Sequence, residues 1–246
     1  MRTPTPAQLL QVWERGVDPS AAARGLLLLG GSCDDLSMET LAALPLGRRD
    51  ALLLQLRARL FGSTIDAVAH CPHCAATVEA TFGCDDLLLA ASDEDFSAPM
   101  LEYVAHDIRV QFRLPDSGDL LALENCSDAA AARQLLLERC VLAVQRSGGA
   151  AAVQVLPEEL QAELAQAMAR ADPQADLQLA FRCPDCGHAW QPMFDIARFL
   201  WQEVHAWALH ILREVDTLAQ SYHWAEGDIL ALSPRRRQAY LELCAP

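Results

Sequence analysis

Ile65-Asp66-Ala67-Val68-Ala69-His70-Cys71-Pro72-His73-Cys74-Ala75-Ala76-Thr77-Val78-Glu79-Ala80-Thr81-Phe82 is the stretch on which the fold turns. Short runs rich in Thr, Val and Ile flank a Cys-Pro-x-Cys turn, and Thr77 to Phe82 alternates as a half-buried strand does. The spacing predicts a strand, a tight turn holding two thiols, and a returning strand. The same arrangement recurs downstream, where Leu177, Leu179 and Phe181 alternate with Gln178, Ala180 and Arg182 and run into Cys183-Pro184-Asp185-Cys186-Gly187. Two such turns present four thiolates, the number a tetrahedral ion takes in a closed structural site. The expected ligands are therefore Cys71, Cys74, Cys183 and Cys186, and the expected ion is a structural zinc, with iron not separable from it by spacing.

The long stretch between Cys74 and Cys183 is no obstacle, because closure entropy grows only logarithmically with loop length. With all four ligands supplied by protein, no coordination position is left for substrate, which argues against metal catalysis. A redox reading of Cys71 and Cys74 requires an activating helix N-terminus, whereas the residues that follow Cys74 are strand-like. His70, His73 and His188 flank the turns as substitute ligands. Cys33, Cys84, Cys126, Cys140 and Cys244 lack partners at ligand spacing and read as small buried hydrophobes.

Outward from the turns the chain reads as mainly helical. Ala and Leu supply 82 of its 246 residues, and both are strong helix formers. Helices are expected over Gln8 to Arg15, Ala21 to Leu29 and Arg48 to Phe61, the last with Arg49, Gln55, Arg57 and Arg59 on its wetter face. Ile108, Val110, Phe112 and Leu114 alternate as a strand, which the Asp116-Ser117-Gly118-Asp119 turn ends. A helix capped by Ser127 or Asp128 is expected to run to Arg146 and stop at Gly148-Gly149, and another to begin at Pro157. Ile196, Leu200, Val204, Ala208, Ile211, Val215, Leu218 and Tyr222 mark a long amphipathic helix. A short last helix opens at Ser233-Pro234, with Tyr240, Leu241 and Leu243 apolar.

The fold class is thus mainly α with small β. Helical N- and C-terminal parts, 1–62 and 196–246, surround a split zinc-ribbon-like pair of hairpins, 63–92 and 177–195, with a mostly helical α/β insertion over 93–176.

Composition removes whole classes of function. All 19 basic residues are arginine against 33 acidic ones, for a formal charge of −14. The absence of lysine excludes a Walker-A loop, the kinase lysine and Schiff-base chemistry. The acidic balance disfavours sequence-independent attraction to nucleic acid or anionic membranes. The longest leucine run, Leu26 to Leu29, is too short to span a bilayer, so a cytoplasmic site of synthesis is expected.

Several segments in order resemble the T-even-like phage baseplate proteins involved in hub assembly, whose relatives also occur with contractile injection systems. They are Leu46-Gly47-Arg48-Arg49-Asp50 with Phe61-Gly62, then Cys71-Pro72-His73-Cys74, Phe112-Arg113-Leu114-Pro115 with Asp119-Leu120-Leu121, and Cys183-Pro184-Asp185-Cys186-Gly187-His188. Tyr222-His223-Trp224-Ala225-Glu226, Asp228-Ile229-Leu230, Arg235-Arg236-Arg237 and Tyr240-Leu241 close the series. One departure is Ala75, where such knuckles usually carry glycine to permit a left-handed turn.

The resemblance implies a non-enzymatic protein, either a structural part or an assembly chaperone or adaptor, whose partners are baseplate hub or spike proteins. It implies neither nucleic acid nor membrane. The protein is expected in the cytoplasm of the producing bacterium, with incorporation into the tail particle as the further fate. Arg48, Arg49, Trp224, Arg235, Arg236 and Arg237 are the candidate partner-binding residues, the arginines either facing partners or tying helical ends together. The alternatives are a thiol-disulfide oxidoreductase using Cys71 and Cys74, and a zinc-ribbon nucleic-acid binder.

Overall fold

The structure is a computed structural model and describes residues 1–17, 19–89, 100–105, 108–146, 149–151 and 156–244. It is mainly helical with three small antiparallel sheets. The chain divides into two units, Met1–Asp35 with Ala197–Pro246, and Leu36–Ile196.

The first unit contains α1 (Pro6–Arg15) and α2 (Ala21–Gly30). Thr5 and Gln8 form a reciprocal capping box at the start of α1, which satisfies two backbone donors the helix leaves open. Most of the expected stripe of the long helix is buried, with Ala208, Ile211 and Leu218 all at 1% exposure or less. Leu10, Ile229 and Leu230 join them in one apolar cluster. Trp13 Nε1 donates to His205 Nδ1 at 3.0 Å, which fixes the proton on the other ring nitrogen of that histidine. The last helix covers Pro234–Cys244, but Leu243 is 75% exposed, contrary to its expected apolar role. Tyr240 and Leu241, one turn earlier, occupy the available apolar contact.

In the second unit α3 (Met38–Ala42) and α4 (Leu46–Phe61) precede the hairpin β1 (Thr64–His70) and β2 (Thr77–Gly83). The sheet β3 (Leu101–Ala105), β4 (Ile108–Phe112), β5 (Val141–Arg146) and β6 (Gly149–Ala151) is antiparallel throughout. Helices α5 (Ser117–Leu123), α6 (Ala129–Cys140) and α7 (Glu158–Ala171) accompany it, and β7 (Phe181–Arg182) with β8 (Ala189–Trp190) forms the last sheet. Finally α8 (Ile196–Tyr222) leads into the first unit, where α9 (Glu226–Leu230) and α10 (Pro234–Cys244) follow. Val110, Phe112 and Val144 on one face of the four-stranded sheet pack with Leu137, Leu160, Leu164 and Met168 of α6 and α7.

Three expectations change here. Arg49 and Arg57 lie buried in α4 rather than on a wet face. Arg49 pairs with Asp50, and the Arg57 guanidinium donates to the carbonyls of Gly62 and Thr64, closing the helix end onto β1. Asp116 to Asp119 is not a terminating turn but the capping box of α5. The helix expected to reach Arg146 stops at Cys140, because Val141 to Arg146 pairs with β4 and that pairing outweighs local propensity. Gly149 begins β6, whereas Gly148 and the expected junction at 92 and 93 lie outside the described residues.

Candidate metal centre

The two Cys-Pro-x-Cys turns are built alike, bond for bond. Ala75 N–H donates to the Cys71 carbonyl and Cys71 N–H to the Ala76 carbonyl, both at 2.9 Å. In the second turn Gly187 N–H donates to the Cys183 carbonyl at 3.0 Å and Cys183 N–H to the His188 carbonyl at 2.9 Å. Each turn needs a left-handed residue after its second cysteine, Ala75 at φ 60° and Gly187 at φ 72°. Glycine adopts this conformation without penalty, while the Cβ of Ala75 costs roughly 1–2 kcal/mol. The first turn is therefore strained where the second is not.

Below the turns the hairpins are held in register. β1 and β2 pair from Thr64 opposite Gly83 to His70 opposite Thr77. The second hairpin extends past β7 and β8 through Leu179 N–H to Pro192 O and Phe194 N–H to Leu177 O. Phe82 meets Phe181 edge-on at 5.9 Å between centroids, and Phe181 stacks on Trp190 at 5.4 Å. These aromatic contacts join the hairpins beneath the cysteines.

At the tips all four Sγ atoms lie within 4.8 Å of one another. Cys71 and Cys186 approach to 3.7 Å, and Cys74 and Cys183 to 3.5 Å. A tetrahedron with metal–sulfur bonds of about 2.3 Å has sulfur–sulfur edges of about 3.8 Å, so the spacing fits a four-thiolate ion. Cys71 and Cys183 are buried and Cys74 and Cys186 exposed. Burial acts to raise the Cys71 thiol, but the backbone N–H groups of Cys74 and His73 outweigh it and bring it down to about 7. At Cys74 the Ala76 N–H favours the thiolate, yet the neighbouring Cys186 and Cys183 sulfurs push the thiol up to about 12. The four sulfurs thus compete for protons, an arrangement that a divalent cation relieves. His73 and His188 stack on each other at 5.7 Å outside this cluster, and His188 continues onto Trp190 at 6.2 Å.

The other candidate residues divide by burial. Arg48 is half-buried, and Arg49 is buried with Nε 2.8 Å from Asp50 Oδ1. Burial lifts the Asp50 carboxyl to about 6 despite the Arg49 charge beside it. Arg235 and Arg236 are exposed, the Arg236 guanidinium lying 5.8 Å from the Tyr240 ring centre. Arg237 is buried and donates to Glu214 at 2.5 Å, tying α10 to α8. Trp224 is half-buried, stacked on Tyr222 at 4.6 Å and edge-on to Tyr240 at 4.9 Å.

The sequence assigns no supporting role to the residues that brace this region. Gly47 N–H donates to Asp172 Oδ2 at 2.9 Å, and a Cβ at Gly47 would sit 1.8 Å from Asp172 Oδ1. A glycine in the first turn of a helix was the available signal, since it marks close backbone approach. Buried Gln174 donates to the Leu87 carbonyl and accepts from Leu89 N–H, bracing the chain just after β2. Asp119, with no exposed surface, accepts from both Arg113 Nη atoms at 2.6 and 2.8 Å and from Arg139 Nε at 2.7 Å. Cys140, expected as a plain hydrophobe, donates to the same carboxylate at 3.6 Å.

A sequence-family profile described as T4 bacteriophage base plate protein matches residues 31–201. The chain belongs to this family. The match takes in both Cys-Pro-x-Cys turns, Gly47 and the Asp119 network, and so covers the whole second unit. It ends before Tyr222 to Leu241, the segment with which the resemblance closes. Membership makes this a structural protein of the phage baseplate type, one that works among other baseplate components. No curated protein and no solved structure matches the chain. Among the described residues no helix is long and apolar enough to cross a membrane.

Proposed function

We propose that the protein is a non-enzymatic assembly factor or adaptor for the baseplate hub of a phage-like contractile tail or injection system, with one structural zinc clamping its two hairpins. The observation that carries this reading is the convergence of Cys71, Cys74, Cys183 and Cys186, from turns far apart in sequence, inside the family-matched region. Such a clamp leaves no open coordination position and so serves shape rather than chemistry.

Its partners are hub or spike proteins, met by the exposed Arg235 and Arg236 beside Trp224 and by the half-buried Arg48. Arg49 and Arg237 support those surfaces from within, through Asp50 and Glu214. The protein acts in the cytoplasm of the producing bacterium and enters the particle during tail assembly.

Two measurements test this. Protein purified under reducing conditions should carry one zinc per chain, with Cys71 and Cys74 shielded from alkylation until a chelator is added. Reactive, metal-free thiols in fully folded protein would instead favour the oxidoreductase. Deletion of the gene should abolish baseplate formation, and normal baseplate yield without the protein would sink the hub assignment.

A further inference from the structure

We propose that the four-cysteine centre is also a site of covalent modification, at which hydroperoxides form two disulfides, Cys71–Cys186 and Cys74–Cys183, both crossing from one hairpin to the other. The inference uses the same cysteines as the proposed clamp but not the identity of the ion, so zinc content and disulfide pattern are separate readouts.

Three observations carry it. Two sulfur contacts, Cys71 to Cys186 at 3.7 Å and Cys74 to Cys183 at 3.5 Å, run from one hairpin to the other. Together they use each cysteine once, so both bonds can exist in the same molecule. Each contact also pairs a cysteine that is exposed as a residue, Cys186 or Cys74, with a buried one, Cys71 or Cys183. The exposed cysteine is the one an oxidant reaches first, and the buried one waits beside it.

The chemistry balances with a hydroperoxide as oxidant. The exposed thiol is oxidised to a sulfenic acid as the peroxide O–O bond breaks, and hydrogen peroxide leaves water. The buried partner's sulfur attacks the sulfenic sulfur, the S–O bond breaks, and a second water leaves with the thiol proton. Two sulfurs have then lost one electron each to one peroxide. Closing either contact to a bond of about 2.05 Å moves the sulfurs together by about 1.5 Å, a rotamer-scale adjustment. Any ion held by the thiols is released, yet the hairpins stay joined. The clamp therefore survives transfer from a reducing to an oxidising medium, a passage that a particle leaving its cell must make.

The test is peptide mapping of the full chain as purified. The protein is treated with a small excess of hydrogen peroxide, remaining thiols are blocked with iodoacetamide, and trypsin is added without reductant. With no lysine present, trypsin cleaves after arginine alone, so Cys71 and Cys74 fall in Leu60–Arg109 and Cys183 and Cys186 in Cys183–Arg198. The expected product is these two peptides joined, and fragmentation should place the links at Cys71–Cys186 and Cys74–Cys183. Release of Cys183–Arg198 alone with an internal disulfide, a link through Cys84, or alkylation of all four cysteines would overturn the proposal. In variants, the pair Cys71→Ser with Cys186→Ser should keep the link through Cys74 and Cys183.

Discussion

The two units solve the problem of stability in opposite ways. The unit formed by Met1–Asp35 with Ala197–Pro246 carries 10 acidic residues against 8 arginines, and a long helix with a continuous apolar stripe runs through it. The unit Leu36–Ile196 carries 23 acidic residues against 11 arginines, and its described residues divide their strands among three sheets, two of them two-stranded. Two-stranded sheets are marginal alone, and like charge opposes compaction. Beside the apolar cluster that its four-stranded sheet makes with α6 and α7, the second unit has point attachments: four convergent thiols, the Asp119 network, Gln174 and Asp172. The two-stranded hairpins lie outside that cluster, and there a few polar or metal-bound nodes matter most.

The largest expected effect follows from removing the strongest node. Structural zinc contributes roughly 10–16 kcal/mol in small sites. Chelation, or Cys183→Ser, should abolish amide-exchange protection over 64–83 and 177–194 while leaving the centre of α8, around Ile211, protected. Equal loss in both units would break the distinction between them, and no loss in either would remove the clamp.

Next comes the buried carboxylate. Burial disfavours the Asp119 charge, but Arg113, the Asp116 N–H and Arg139 overcome that and hold the carboxyl down at about 2. Asp119→Ala should destabilise the second unit by about 2–3 kcal/mol, because two partly exposed arginines lose their shared acceptor. Since the folded-state carboxyl lies below its unfolded value, its contribution is complete above about pH 4 and is lost as pH falls towards 2. Asp50 has the opposite sign: lifted by burial to about 6, it costs stability as pH rises from about 4 to 6. Urea titrations of wild type and Asp119→Ala between pH 2 and 7 should converge at the acid end. Parallel curves would show that Asp119 does not titrate as described.

In the first unit the counterpart is apolar. Ile211→Ala removes a side chain only 1% exposed and should cost about 2–5 kcal/mol without changing zinc content. Loss of zinc along with stability would mean that the units do not stand on separate supports.

The same contrast explains what was legible in the sequence. Periodicity announced the long helix, both hairpins and β4, because each is repeated over several residues. The four thiols were legible because ligand chemistry imposes a spacing. Arg49 and Arg57 were read as wet, since charge normally stays in water, and they are buried because each meets a specific acceptor. Such pairings are made between residues brought together by folding, so no local pattern encodes them. The strand Val141 to Arg146 was hidden for a related reason: its helix-prone neighbours set the local preference, and only the open edge of β4 reverses it.

The smallest effect compares the two turns themselves. Ala75 and Gly187 occupy equivalent positions with nearly the same φ, 60° and 72°, and the same hydrogen bonds close both turns. Only the Cβ differs, and no part of the metal ligation depends on it. Ala75→Gly relieves left-handed strain of roughly 1–2 kcal/mol but gives the unfolded chain more freedom, worth about 0.4–1 kcal/mol. The net expectation is a gain of about 0.5–1 kcal/mol in the second unit, read as a rise in its urea midpoint with zinc retained. Gly187→Ala should lose a similar amount, since its Cβ would meet no other atom and conformational strain alone would act. Equal and opposite shifts would establish that the first turn is the weaker half of the clamp. A loss at Ala75→Gly would show instead that its methyl group makes a contact worth more than the strain it imposes.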